Sequence, residues 1–401
     1  MKRYLTMIDQ VVNSLSNILL VVAVARASTA AEFGKFSLLQ VVLVFGIGVG
    51  RAAVGEPLLV GYSNSSHKEL AQMRPSVLGA WLVVALMPAV AVAAVGVGLA
   101  GEYVLAGIVL AVALIAAGLH DALRYTAIAE ARPSLALQID GIWLLATLVG
   151  VLWLEFGAVD LGLAGPALAW LWGALLSLAV GLLVLKSRVG IAGGVAWLRS
   201  HRARAKRYAA EYALLNTSNT FVWFLVSALI SSVAVGYLRG TQLLFSPLNT
   251  AFNSVRIGVV PDLIRNRVTA RYKRVAVEAM VFLVGGSLAW WFAIWLVPDA
   301  VGYELLGATW SGARAFVLAF GLQYLGLAYY NWLLAMMRSK SLDRAASWMR
   351  GTLAAATLVI PTSFGAVSGA AGVAWGVATA VAACVVVGTV ALVRAGKSSA
   401  K

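Results

Sequence analysis

The residues of this sequence best suited to ligand chemistry are two arginines inside long apolar segments, Arg51 and Arg256. They lie roughly 27 Å and 30 Å along their predicted helices, at a rise of about 1.5 Å per residue. Burying a charge at the centre of a bilayer costs at least ~2.5–3.5 kcal/mol, so intramembrane arginines usually face the interior of a helix bundle. A guanidinium group is planar, permanently charged and able to bind two phosphate oxygens at once. Two such groups facing one cavity would therefore form a site for a diphosphate.

Further ionisable residues are predicted at a similar depth on other helices. The candidate substrate-binding residues are Arg51, Arg256, Arg124 and Asp140. The candidates for ion coupling are the carboxylates Asp9, Glu211 and Glu56. The alternative for each charge is an interfacial position from which a long side chain reaches water. This alternative is the stronger interpretation for Arg124, Glu278 and Arg350.

The elements that must position these charges are membrane-spanning helices. Hydrophobic residues make up 61% of the chain and charged residues only 12%, far from the balance of a soluble protein. About 20 apolar residues suffice to cross a bilayer as a helix. The fold class predicted is therefore an all-α polytopic membrane protein with about twelve transmembrane helices. Twelve spans are predicted, over 7–28, 33–58, 76–100, 103–129, 134–155, 160–186, 210–231, 236–263, 275–297, 304–337, 345–365 and 369–394.

The basic residues predict the orientation of these spans. Placing both termini in the cytoplasm assigns 25 of the 31 lysines and arginines to the inner side or its edge, as the positive-inside rule requires. The net charge of +15 is thereby explained by membrane topology, and no nucleic-acid partner is predicted. The expected location is the inner or plasma membrane, with the lipid bilayer itself as a partner.

The two halves of the chain show the pattern of an internal duplication. An offset of 202 residues places Asp9 on Glu211 and Gly34 on Gly236, together with three further polar matches: Ser16 on Ser218, Asn17 on Asn219 and Gln40 on Gln242. The predicted organisation is an N-terminal six-helix lobe over 1–188, a basic cytoplasmic connector over 189–208 and a C-terminal six-helix lobe over 209–401. Within the first helix, Asp9, Asn13, Ser16 and Asn17 form one polar stripe.

The connector contains Trp197 and Leu198 followed by a basic run from Arg199 to Arg207. One interpretation is an interfacial helix that binds anionic lipid. The other is a tether between the halves that is basic because it lies inside the cell. The tether is favoured, because many of the predicted cytoplasmic loops are basic.

Motifs for catalysis are absent from the sequence. It has no P-loop, no Cys/His metal cluster and a single cysteine, Cys384, which excludes an intrachain disulfide. The pair His120 and Asp121 is the one arrangement that a membrane acyltransferase could use, although a lone histidine near a helix end is usually structural. No catalytic residue, metal or cofactor is predicted.

The N-terminal segment resembles the polysaccharide transporters of the MOP exporter superfamily, the Wzx-type flippases, which are relatives of MurJ and of the MATE exporters. The similarity lies in the run 24–38, with Arg26, Glu32, Phe33, Gly34 and Phe36 in an Arg-x(5)-Glu-Phe-Gly-x-Phe pattern, and in the segment that begins at Arg51. In motif it covers about the first 60 residues.

This resemblance implies a V-shaped pair of lobes and transport by alternating access. The expected cargo is a polyprenyl-diphosphate-linked sugar or oligosaccharide, moved from the cytoplasmic to the outer leaflet for cell-surface polysaccharide synthesis. In this family cationic residues of the central cavity serve the diphosphate-sugar headgroup, a role that Arg51 and Arg256 match. Other membrane proteins of polysaccharide assembly are candidate partners. The alternatives are a MATE-like exporter of small amphiphiles or drugs, and a membrane enzyme acting on lipid-linked sugars.

Overall fold

The first part of the chain forms eight helices. The computed structural model describes residues 2–62, 65–157, 161–266, 269 and 271–398, except for the side chains of 2–7, 253–258, 261, 265, 343 and 395–398. All regular structure among the described residues is helical. The first eight helices are α1 (Lys2–Ala27), α2 (Ala30–Gly61), α3 (His67–Leu99), α4 (Glu102–Ala129), α5 (Pro133–Phe156), α6 (Ala164–Val184), α7 (Ile191–Ser200) and α8 (Arg202–Leu229).

The second part of the chain forms six more helices. These are α9 (Ser232–Arg265), α10 (Arg271–Trp295), α11 (Asp299–Leu306), α12 (Trp310–Arg314), α13 (Val317–Ser339) and α14 (Asp343–Ser398). The chain divides into two compact units. One comprises the residues up to Ala27 together with Lys35–Thr217, and the other comprises Ser28–Gly34 and the chain from Ser218 onward.

Each of the twelve predicted spans coincides with a helical segment, which confirms the all-α membrane fold class. Among the described residues, eight helices are long and apolar enough to cross a membrane, or nine if one bent pair counts as a single span. That pair covers the tenth predicted span, 304–337, which is longer than the ~25 residues of one straight crossing. The segments Asp299–Arg314 and Val317–Ser339 meet at an angle of 94°. The eleventh and twelfth spans share α14, which is broken at Ser368 and at Gly369, where φ is +61°.

Two helices contain a π-helical turn, in which the hydrogen bonds skip one more residue than in an α-helix. In α2 this turn is Arg51–Gly55, and in α10 it is Val281–Gly285. In α2 the four residues after Arg51 are buried, whereas the Arg51 side chain is 31% exposed. Such turns are frequent at functional sites.

The core of the first unit is formed where α3 and α4 pack together, with α2, α5 and α6 around them. Trp81 is 1% exposed and fills the space between them. A Cβ added to Gly50 would lie 2.6 Å from the Trp81 indole nitrogen, and the Trp81 and Tyr125 rings lie 5.6 Å apart. On α1, the predicted polar stripe packs inward, because Asp9, Asn13 and Ser16 are buried.

In the second unit, the duplication aligns Gly34 with Gly236. Each of these glycines packs against the backbone of the helix that carries the other. A Cβ on Gly34 would lie 1.8 Å from the Ser232 carbonyl oxygen, and a Cβ on Gly236 would lie 2.0 Å from the Ala30 carbonyl oxygen. Ala30 and Ser232 are themselves 202 positions apart, so the contact is reciprocal under the same offset.

Candidate functional site

Four helices of the first unit bring charged side chains together inside the protein. We call this set the buried charge cluster: Asp9 and Asn13 on α1, Arg51 on α2, His120, Asp121 and Arg124 on α4, and Asp140 on α5. All except Arg51 are buried. The three α4 members lie within five consecutive residues, so their side chains reach different neighbouring helices.

Arg124 is the centre of the cluster. Its Nε and Nη2 donate to Asp9 Oδ2 at 2.9 and 2.6 Å, and Nη2 also donates to Gln10 Oε1 at 3.1 Å. Its Nε lies 3.1 Å from Asp140 Oδ2. One guanidinium group therefore joins α1, α4 and α5, as its planar set of five donors allows.

Arg51 is the cluster member that solvent or a ligand can reach. Its Nε donates to Asp121 Oδ2 at 2.5 Å, and its Nη2 donates to Asn13 Oδ1 at 3.4 Å. The Asp121 side chain is 1% exposed, against 31% for Arg51. A buried carboxylate thus fixes one edge of a guanidinium group that is still partly accessible.

His120 does not act as a pair with Asp121. Its Nε2 lies 3.3 Å from Asp140 Oδ1, and its ring meets Trp143 edge-on at 4.6 Å between centroids. Asp121 instead faces Arg51. His120 is fully buried, and its ion-pair contact is with Asp140 rather than Asp121.

The cluster contains more carboxylates than cations. Three carboxylates face two guanidinium groups, so with a neutral imidazole the cluster carries one excess negative charge. Among the described atoms, one oxygen of each carboxylate has no hydrogen-bond donor: Asp9 Oδ1, Asp121 Oδ1 and Asp140 Oδ2. Two of them still lie within ion-pair distance of Arg124, at 3.7 Å for Asp121 and 3.1 Å for Asp140. In the part of the chain that the structure describes, no group of three or more His, Cys, Asp or Glu side chains is arranged so that it could hold a metal ion.

The remaining predicted site residues lie elsewhere. Glu56 and Glu211 are both exposed. The side chain of Arg256 lies outside the described residues. Glu278 is exposed and pairs with Arg274 at 2.8 Å. The interfacial interpretation is wrong for Arg124, which is 4% exposed because three helices enclose it.

Sequence reasoning missed the partners rather than the charges. Asn13 and Asp121 were noted for their positions, but their contacts with Arg51 span 38 and 70 residues. A second buried ion pair joins Glu130 to Arg74 at 2.6 Å, with His67 3.2 Å from the other Glu130 oxygen. The available signal was the presence of charges within apolar helices, and it does not specify which charges meet.

Three further arginines of the predicted spans have local partners. Arg26 pairs with Glu155 at 2.7 Å, and Arg314 pairs with Asp299. The guanidinium of Arg239 lies 5.4 Å from the centre of the Trp223 ring and donates to Gln242 at 2.5 Å.

Comparison with known proteins defines the fold. No family model matches the chain, and no curated protein matches its sequence. It is similar in structure to the lipid II flippase MurJ in an inward closed conformation, with a TM-score of 0.72, 13% identity, and coverage of 99% of this chain and 87% of that one. It is also similar to an inward-facing multidrug resistance MATE family transporter of the MOP superfamily, with a TM-score of 0.69, 16% identity and 96% coverage of both chains. A MATE transporter from Vibrio cholerae gives a TM-score of 0.65 at 13% identity, covering 98% and 95%. The chain therefore has the same fold as these transporter structures.

Proposed function

We propose that this protein is a flippase that moves a polyprenyl-diphosphate-linked sugar or oligosaccharide from the cytoplasmic to the outer leaflet by alternating access. The observation that carries the proposal is Arg51, a partly exposed guanidinium inside a predicted membrane span, fixed by the buried Asp121. A preorganised cation inside a bilayer suits an anionic headgroup that must cross it. The similarity to a structure described as a lipid II flippase supports this cargo class.

In this mechanism Asp121 is a positioning residue for Arg51. It accepts the Nε hydrogen bond, which leaves the Nη groups to bind phosphate oxygens. The contact of Nη2 with Asn13 is long, at 3.4 Å, so a phosphate can replace it at little cost. Arg256 is the proposed second cation for the diphosphate.

We further propose that the buried charge cluster takes up one proton in each transport cycle. Its single excess negative charge makes uptake of one cation favourable, and burial penalises the unbalanced charge. A proton needs only one acceptor oxygen, and Asp9 and Asp140 each have one without a hydrogen-bond donor among the described atoms. The exposed Glu56 and Glu211 are weaker candidates, because water screens them.

The test is transport of a polyprenyl-diphosphate sugar by purified protein in liposomes. The change Arg51→Ala alone also leaves Asp121 buried without its cation, so loss of activity could reflect misfolding. The double change Arg51→Ala with Asp121→Asn removes one charge of each sign and leaves the net charge of the cluster unchanged. We expect the double variant to be monodisperse but inactive, Asp121→Asn to keep part of its activity, and Arg51→Lys to rescue partly as a point charge. Transport at the wild-type rate by the double variant would refute the role of Arg51.

A MATE-like exporter is the second candidate function. The observation in its favour is that buried carboxylates outnumber arginines in the cluster, whereas diphosphate binding favours cations. Efflux of a cationic dye from the same liposomes, without movement of the lipid-linked sugar, would establish this alternative. A covalent change in the lipid-linked sugar, detected by mass spectrometry, would instead establish a membrane enzyme.

A further inference from the structure

The connector between the two halves is a strongly basic stretch. No aspartate or glutamate occurs between residues 161 and 210. The stretch carries seven lysines and arginines, and all seven are exposed: Lys186, Arg188, Arg199, Arg202, Arg204, Lys206 and Arg207. None of them forms an ion pair with a carboxylate among the described residues. Their charge is therefore available to a partner.

The connector is not a loose tether. The backbone N–H of Gly190 donates to the Pro75 carbonyl oxygen on α3 at 2.9 Å. A Cβ on Gly194 would lie 2.2 Å from the Gly79 carbonyl carbon, and a Cβ on Gly79 would lie 2.1 Å from the Gly190 oxygen. The glycines thus let α7 lie directly against the backbone of α3.

Aromatic contacts fix the turn between α7 and α8. Trp197 is 5% exposed, and its ring stacks on His201 at 4.3 Å between centroids. His201 Nε2 lies 2.9 Å from the Tyr62 hydroxyl at the end of α2. The basic residues on either side of His201 are thereby held in place, which lowers the entropic cost of binding a partner.

We propose that this basic surface, comprising Arg199, Arg202, Lys206 and Arg207 with Lys186 and Arg188, binds the phosphate groups of anionic phospholipids in the leaflet at its side of the membrane. The partner is inferred from charge complementarity and location. The surface lies on helices that adjoin membrane spans, and anionic headgroups are the phosphates that such a surface meets. Ile191, 57% exposed at the start of α7, provides an apolar contact for the acyl region beside the basic residues.

The test compares lipid retention by the full-length protein and two matched variants. One variant combines Arg199→Gln, Arg202→Gln and Lys206→Gln. The control combines Arg271→Gln, Lys273→Gln and Arg344→Gln, three exposed residues predicted on the same side of the membrane. Each protein is purified in detergent, offered cardiolipin or phosphatidylcholine, and examined by native mass spectrometry.

We expect the wild type and the control to retain cardiolipin in preference to phosphatidylcholine. The fraction of the connector variant that retains cardiolipin should be about tenfold lower than that of the wild type. Salt of about 1 M should release the cardiolipin from the wild type, because it screens exposed charges. Equal loss in both variants, or wild-type retention by the connector variant, would refute the proposal. If the connector variant does not purify as a monodisperse protein, the single changes Arg199→Gln and Lys206→Gln are measured instead, with loss expected in both. The readout does not involve transport, so its result is independent of the proposed flippase activity.

Discussion

Arg124 is the residue on which the buried charge cluster depends. Its guanidinium contacts Asp9 and Asp140 on two other helices, and it lies near Asp121 on its own helix. Lysine could not replace it, because an ammonium group lacks the planar arrangement of five donors. A buried charge network of this kind specifies which helices pack together, but it tolerates the loss of a partner poorly.

The change Arg124→Gln is expected to destabilise the protein by about 3–5 kcal/mol, because it leaves buried carboxylates without their cation. Denaturation of the purified protein in detergent measures this effect. Arg271→Gln, which removes an exposed charge, serves as the control and should change stability by less than about 0.5 kcal/mol. Similar values for the two variants would show that Arg124 has no structural role.

The change Asp140→Asn should have a different effect, because it removes the excess negative charge of the cluster. The asparagine keeps one acceptor oxygen, which can face Asn13 or Arg124 but not both, because these two donors lie against different oxygens of Asp140. Removal of the excess charge should partly offset the lost contact, so the loss of stability should be smaller than that of Arg124→Gln, while proton-dependent transport should be lost. Denaturation and transport at two pH values test this expectation. A loss of stability as large as that of Arg124→Gln would contradict the charge count.

At the residue scale, the sequence could predict that charges lie within the spans but not which of them meet. Helical periodicity placed Asp9 and Asn13 on one stripe, and both are buried. The contact of Arg124 with Asp9 joins residues 115 positions apart, and such pairing depends on how helices pack. Interfacial and buried positions also look alike in one sequence, which is why Arg124 was assigned to the interface.

Among the elements, α2 illustrates how a local irregularity positions a functional group. The π-helical turn at Arg51 adds a residue to the turn and shifts the register of the side chains that follow. The residues after Arg51 are buried, whereas Arg51 keeps a partly exposed edge. The sequence gives no simple signal for a π-turn, because its extra residue is stabilised by tertiary packing. The predicted span 304–337 is longer than a straight crossing needs, but its length does not specify the sharp bend before α13.

The close contact between α7 and α3 predicts that adding one methyl group to a glycine of α7 will destabilise this packing. Gly194→Ala would place its Cβ 2.2 Å from backbone of α3, so the helices must separate, at a cost of roughly 1–3 kcal/mol. Gly141→Ala is the matched control, because its Cβ would have no neighbour within 4 Å and alanine favours helix by up to about 1 kcal/mol. Hydrogen exchange across 191–200 should rise in the first variant only. Unchanged exchange would indicate that α7 does not depend on this contact.

On the scale of the whole molecule, charge distribution predicts the orientation of the chain. A reporter active in the cytoplasm should work when fused after Arg204 or Arg271 and should fail after Ser232 or Asp299, because the basic loops stay inside. Fusion assays in cells measure this pattern directly. The opposite result at any two of these sites would overturn the predicted topology of twelve spans.

The duplication leads to a prediction about how the molecule moves. Repeat-built transporters work by rocking one repeat against the other, so the reciprocal contact of Gly34 and Gly236 is expected to open and close during transport. The turns just before it contain Thr29 and Ser231. In a background with Cys384→Ala, which removes the single cysteine, cysteines at these two positions can be joined.

We expect a crosslink between positions 29 and 231 to stop transport, because it holds the first turns of α2 and α9 together, and reduction should restore activity. A disulfide requires Cα atoms within about 7 Å, so a longer reducible bis-maleimide is the first reagent. The control carries each cysteine alone and should stay active after the same treatment. If the pair crosslinks fully and transport continues, the contact between the two repeats does not open during the cycle. In that case the alternating-access mechanism must use another part of the molecule.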